Sequence, residues 1–454
     1  MLNLPSLPLL RTELRAYWRL AWPIVIAQLS FIGMGTVDTM LAGHLGEQAL
    51  AAVAVGSNIF FLSFVFFMGL FMAVSPMVAQ AIGRGAAAEA IGARLRAVLL
   101  LAIVAGLLWA AFIYGTRAPI LDLLGLDAQT YTYADGYLRA IAWAAVPFCL
   151  SFTLRNAADA HGLTRVALIV AAITLLFNGV LAYVLMYGRF GLPALGPAGT
   201  GYATSISGYL MVLLYLWLYR HHAPLRALHL LQARALPMLS VARELLRVGG
   251  ATAAILTAEA SLFQIGALIV ARFGAQAMAA HQVAINFASL AFMVPMSIGM
   301  AATVRVGHAA GAGDQAGVAL RGRVGILLGA GFALCSASLM LGAPQWIVAA
   351  YTDQQAVAQL AVRFLMFAAV FQIFDCIQAT ANGALRGIKD TRLPMLITVA
   401  AYWVLAMPLA LWLSFRTPLG PLGVWSGFIA GLAVAAVGLS YRFLSHTGPA
   451  SGKY

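Results

Sequence analysis

The chain has 454 residues, 63% of them hydrophobic and only 9% charged, with a mean hydropathy of +0.91. Soluble globular domains carry roughly 25% charged residues, so a soluble domain is excluded, and apolar runs of about 20 residues or more point to membrane-spanning helices rather than the ten-residue alternation of a β-barrel. The net charge of +13 calls for no nucleic-acid partner, because orientation in the bilayer and contact with anionic lipid head groups account for it.

From the N-terminus, residues 1–10 carry no charged side chain, and the first apolar run, about 17–43, is too long for the core of a cleaved signal. Eleven further spans follow, near 51–80, 95–116, 133–158, 166–188, 198–219, 243–271, 279–304, 324–347, 357–384, 394–415 and 421–441. Basic residues alternate with them. Arg11, Arg15 and Arg19, then Arg84, Arg94 and Arg96, then Arg155 and Arg165, then the central stretch with Arg220, Arg226, Arg234, Arg243 and Arg247 fall on one side. Arg305, Arg321, Arg323, Arg386, Lys389, Arg392, Arg442 and Lys453 continue that side, against Arg117, Arg189, Arg272 and Arg416 on the other. Both termini are therefore expected in the cytoplasm. Cys149, Cys335 and Cys376 lie in apolar spans without a CxxC pair and are read as packing residues.

Three carboxylates break the apolar runs. Asp38 stands in the first span after Gly33, Gly35 and Thr36, Glu259 in the seventh and Asp375 in the tenth. An ionisable group at bilayer depth costs roughly 2.5–3.5 kcal/mol on insertion scales and usually faces a polar cavity on an ion or substrate path. A carboxylate that merely ties helices together is the other reading. Near Asp38, Asn156, Asn178, Thr200 and Tyr202 offer oxygens to a cation or a proton relay; Gln264, Gln282, Asn286, Gln372 and Gln378 flank the other two acids, and each amide can equally serve as interhelical glue. Asp159, close to Arg155, His161 and Arg165, reads as one partner of a structural ion pair. Pro23, Pro76, Pro147, Pro295 and Pro408 interrupt helices, with Pro23 the expected hinge because a bend there moves Asp38. Phe31, Phe60, Phe263, Phe287, Met293 and Met296 are core residues or the lining of an adaptable cavity for aromatic cations.

The chain is also duplicated. Residues 45–58 reappear as 273–286 at an offset of 228; Arg165 matches Arg392 at 227, and Gly196-Pro-Ala-Gly199 matches Gly420-Pro-Leu-Gly423 at 224. Six helices per copy make the repeats parallel, related by an axis along the membrane normal. The expected lobes are 1–230 and 231–454, joined by the basic stretch from Arg220 to Arg243. The acids do not follow the repeat: Asp38 falls on Gly266, Glu259 on Phe31 and Asp375 on Phe148.

Val37-Asp-Thr-Met-Leu-Ala-Gly-His-Leu-Gly46, Leu154-Arg155 with Gly162-Leu-Thr-Arg165, Ala279-Ala-His-Gln-Val-Ala-Ile-Asn286 and Leu385-Arg-Gly-Ile-Lys-Asp-Thr391 together resemble the multidrug and toxic compound extrusion (MATE) family, and Glu259 with Asp375 is similar to its NorM branch. The resemblance implies a V-shaped, all-α fold of twelve transmembrane helices in two lobes, in a bacterial cytoplasmic (inner) membrane. It implies a monomeric antiporter that exports cationic amphiphilic drugs and dyes in exchange for Na+ or H+, without a further cofactor. Asp38, with Asn178, Asn156 and Thr200, would form one cation site, and Glu259 with Asp375 the second, each able to take Na+. Phe31, Phe263, Gln282, Asn286, Met293, Phe371 and Gln378 would line the substrate cavity. Two departures stand out: Phe371 occupies the position, one turn before Asp375, where NorM proteins often have tyrosine, and Ala182 follows Asn178 where the archaeal branch has an acid. The alternative is a lipid-linked oligosaccharide flippase of the related superfamily, which is expected to line its cavity with arginines; here the arginines read as loop residues. No HExxH, GxSxG or phosphate-binding loop suggests an enzyme or an ATPase.

Overall fold

The computed structural model describes residues 7–230 and 237–447, and Arg234, Lys453 and the expected lobe boundary at 230/231 fall outside or at the edge of them. Among these residues are twelve helices long and apolar enough to cross a membrane, labelled here α1 Pro8–Leu45, α2 Glu47–Gly83, α3 Ala88–Leu124, α4 Ala128–Ala160, α5 Thr164–Tyr187, α6 Pro197–His221, α7 Met238–Ala271, α8 Ala275–Gly311, α9 Gln315–Gly342, α10 Gln355–Gly387, α11 Arg392–Arg416 and α12 Leu422–His446. The expected span 324–347 is corrected to α9, because the chain breaks at Ala343 and a short helix, Pro344–Ala349, begins with proline in its first turn. Several helices also run past the expected boundaries. Arg96 and Arg386, expected in loops, are consequently buried within α3 and α10. Arg386 meets the Thr303 hydroxyl at 3.1 Å and Arg96 the His229 carbonyl at 2.6 Å.

The prolines act unequally. Regular helix lapses at Met72–Ala73 ahead of Pro76, at the 3₁₀ turn Ala142–Ala144 ahead of Pro147 and at the π turn Ala401–Ala406 ahead of Pro408. In each case a carbonyl one turn earlier has lost its helical donor and the backbone rewinds around it. Pro23 and Pro295 lie inside uninterrupted helices.

By contact the chain forms two compact units. One comprises Ile26–Val78 and Ala86–Ala253; the other comprises α1 up to Val25, Ala79–Gly85 and the chain from Ala254 onward. The first half of α1 joins the second unit through specific bonds: the Glu13 carboxylate pairs with Arg305 at 2.5 Å and Arg321 at 3.5 Å, and the Tyr17 hydroxyl donates to the Arg321 carbonyl at 2.6 Å.

In the second unit α10 packs against α8, α9 and α12. The α8 crossing depends on glycine, since a Cβ on Gly383 would lie 2.2 Å from the Gly299 carbonyl oxygen. Close backbones let the Thr303 hydroxyl donate across to the Gly383 carbonyl at 2.9 Å. This crossing anchors the helix that carries Asp375. In the first unit α5 packs on α6 and α3 on α4, and the Tyr187 hydroxyl donates to the Leu41 carbonyl at 2.9 Å, which ties α5 to α1 one turn beyond Asp38.

Candidate functional site

Asp38 is 5% exposed in the first unit. Its Oδ2 accepts a hydrogen bond from the Thr204 hydroxyl at 3.1 Å, and that hydroxyl in turn accepts from the Asn178 amide nitrogen at 3.3 Å. Three helices, α1, α5 and α6, therefore meet at one short polar chain. Asp38 Oδ1 and Asn178 Oδ1 remain buried without a hydrogen-bond partner. Thr204 was not singled out in the sequence, where Thr200 was. The two are one turn apart on α6, and the Thr200 hydroxyl instead donates to its own helix at the Pro197 carbonyl, 2.8 Å away. Asn156 likewise turns its amide to the Phe152 carbonyl at 2.7 Å. Neither joins the hydrogen bonds of Asp38.

Phe31 stacks on Phe64 at 5.1 Å between centroids and borders a narrow cavity of about 20 Å³ with Met34, Phe148, Ser151 and Arg155. That space suits one water molecule, not a drug. Beside it Arg155 approaches Asp159 at 3.7 Å, the ion pair expected from the sequence.

In the second unit Glu259 of α7 and Asp375 of α10 are 7% and 2% exposed, and close enough for the charge of Glu259 to act on Asp375. Asp375 Oδ1 has no hydrogen-bond partner, and none of the three acids appears in an ion pair with Lys, Arg or His among the described residues. A carboxylate withdrawn from water without a counter-charge is strongly disfavoured unless a proton or a cation joins it. Each of the three buried carboxylates therefore needs a proton or a cation to be stable in its place.

The residues around the pair are mostly aromatic. Phe371 meets Phe263 at 5.7 Å and Trp425 at 5.5 Å, both edge to face. Gln372 donates to the Cys376 sulfur at 3.4 Å, and the Gln378 amide nitrogen is buried without a partner. Gln282 and Asn286, one turn apart on α8, are exposed, and Asn286 accepts from the Tyr351 hydroxyl at 3.0 Å. Met293 is half-buried. Cys335, read as a packing residue, is exposed. Two further polar groups were not singled out. His281 is 1% exposed and its Nδ1 accepts from the Trp425 indole N–H at 3.1 Å, which leaves the ring proton on Nε2. Tyr402 of α11 is fully buried with no partner for its hydroxyl.

Among the described residues, twelve helices able to span a membrane and buried carboxylates without an ion pair in each of two units are the build of a membrane transporter. The chain belongs to the MatE family, whose profile matches residues 23–184 and 251–412, one match in each repeat. Over 95% of both chains it is 38% identical to the multidrug resistance protein NorM of Vibrio vulnificus (strain YJ016). It is 37% identical to the multidrug resistance protein PmpM of Pseudomonas aeruginosa, across 97% of this chain and 94% of that protein. Its fold matches the crystal structure of the eukaryotic MATE transporter AtDTX14 with a TM-score of 0.86 at 20% identity, covering 95% of this chain and 96% of that one. The Vibrio cholerae MATE transporter VcmN in its bent form matches with a TM-score of 0.83 at 19% identity, covering 96% and 98%.

Proposed function

We propose that this protein is a secondary antiporter that expels cationic amphiphilic drugs and dyes in exchange for Na+ or H+. It is a multidrug efflux transporter of the MatE family and not an enzyme. The observation that carries the exchange mechanism is the burial of Asp38, Glu259 and Asp375 without an ion pair to Lys, Arg or His among the described residues. Such a site is occupied in turn by the driving ion and by nothing, or by the driving ion and a cationic substrate, and each occupant favours the arrangement of helices that binds it better. Exchange follows from that competition.

In this reading Asp38 is the principal coupling residue, with Thr204 and Asn178 as its neutral partners, and Glu259 with Asp375 forms the second cation site. The protein sits in the bacterial inner membrane with both termini in the cytoplasm, as the arginine distribution favours. Ethidium efflux from proteoliposomes, driven by an imposed Na+ gradient and in a separate run by an imposed proton gradient, tests the reading. One gradient is expected to drive efflux and the other to add little. Efflux that ignores both would overturn ion-coupled exchange.

A further inference from the structure

We propose that the Tyr402 hydroxyl is the third oxygen of the Glu259–Asp375 site, an inference that rests on the reading of that pair as a cation site. Tyr402 lies on the π turn Ala401–Ala406, the only π turn among the described residues. Two sequence features hold that turn. Pro408 cannot donate to the carbonyl of Val404, so the regular ladder cannot close there. Across from it Gly431 lets α12 come so near that a Cβ would lie 2.5 Å from the Ala406 Cβ and 2.8 Å from the Ala401 carbonyl oxygen. A widened turn inside a helix re-aims the side chains it carries and recurs at functional sites.

The side chain it aims is unusual. Tyr402 is 0% exposed and its hydroxyl has no hydrogen-bond partner, although a buried tyrosine normally satisfies its O–H. The charged groups within electrostatic reach of that hydroxyl are Glu259 and Asp375, and the ring belongs to the same packed cluster as Phe263 and Phe371. Asp375 Oδ1, on α10, is also without a partner. Two oxygens without partners, on separate helices, thus share one aromatic cluster with a second carboxylate in electrostatic reach.

No group of three His, Cys, Asp or Glu side chains forms a cation site among the described residues, so a third side chain offered to a hard cation at this pair would bring a neutral oxygen. Phe371, one turn before Asp375, has none. A phenol oxygen carries two lone pairs, and with no protein partner to release it can present one of them to a cation that enters. The first repeat offers a parallel. At the offset of 227 Tyr402 falls on Leu175, one turn before Asn178, so in each copy the same helix supplies a neutral side chain to the acids carried by others.

The test is Tyr402→Phe in the full-length protein, reconstituted in proteoliposomes, with ethidium efflux measured against Na+ concentration at fixed pH and against proton concentration without Na+. The half-saturating concentration of the driving ion is expected to rise about tenfold, as for loss of one hydrogen bond to a charged group. The melting temperature in detergent should stay near wild type, because no protein hydrogen bond is lost. An unchanged ion dependence overturns the proposal, and so does a lowered melting temperature with unchanged ion dependence, which would mark a packing role. Glu259→Gln is measured alongside. If it shifts the ion dependence and Tyr402→Phe does not, the Tyr402 assignment alone falls; if neither shifts it, the reading of the acid pair as a cation site falls with it.

Discussion

Replacing Asp38 by Asn separates charge from shape. The asparagine oxygen can still accept from Thr204, at 3.1 Å in the native site, and the side-chain volume is kept. What disappears is a carboxylate oxygen, Oδ1, that is buried with no partner. Removing an uncompensated buried charge carries no stability penalty, so the folded yield and melting temperature should stay at or slightly above wild type. Transport should respond quite differently. A tenfold ion gradient stores about 1.4 kcal/mol, and one-for-one exchange converts this into at most about a tenfold ratio of dye across the membrane. Without the coupling carboxylate the expected ratio is one, reached by leak alone. The assay is the steady-state ethidium ratio in proteoliposomes holding a clamped tenfold gradient of the driving ion. A ratio near ten for the Asn variant would refute the argument, since the charge at this position would then play no part in coupling.

The second site should behave less absolutely. Glu259→Gln and Asp375→Asn are each expected to weaken the apparent affinity for the driving ion while efflux persists, because a second acid remains within reach of the charge; wild-type ion titrations for both would make the pair structural. Thr204→Val removes the hydroxyl that links Asn178 to Asp38 with almost no change in volume. The half-saturating ion concentration should rise roughly tenfold, the effect of a hydrogen bond to a charged group, whereas Thr200→Val should leave it unchanged. Gly383→Ala places a methyl 2.2 Å from the Gly299 carbonyl oxygen, and overpacking at such a crossing costs about 1–3 kcal/mol. A fall of several degrees in melting temperature is expected, and no fall would mean that α8 and α10 separate easily.

What the sequence makes legible follows from how each signal is carried. Hydropathy adds along the chain, so twelve spans can be counted, and a charge in an apolar run is conspicuous wherever the helix faces. Asp38, Glu259 and Asp375 were therefore visible at once. Their partners depend on helix rotation instead. Thr200 and Thr204 are one turn apart on the same face of α6, and only the local backbone decides that the first bonds the Pro197 carbonyl and the second reaches Asp38. Asn156 satisfies its amide on its own helix for the same reason, a competition between local and tertiary hydrogen bonds that composition cannot register.

Tyr402 was hidden by its own chemistry. An aromatic side chain in an apolar run defaults to packing, and its hydroxyl becomes significant only once the π turn before Pro408 and the approach of α12 at Gly431 have fixed where it points. The clue available beforehand was negative: Phe371 lacks the oxygen expected near Asp375, so a site that still needs one must draw it from another helix. The duplication sharpens this. Both repeats inherited the same scaffold, yet the first places one acid beside a hydroxyl and an amide, and in the proposed reading the second sets two acids with a phenol. If both are cation sites, two sites of different charge on one repeated frame would bind the same ion with different affinities, or different cations altogether, and an exchanger would gain from that asymmetry because one occupant could then displace the other.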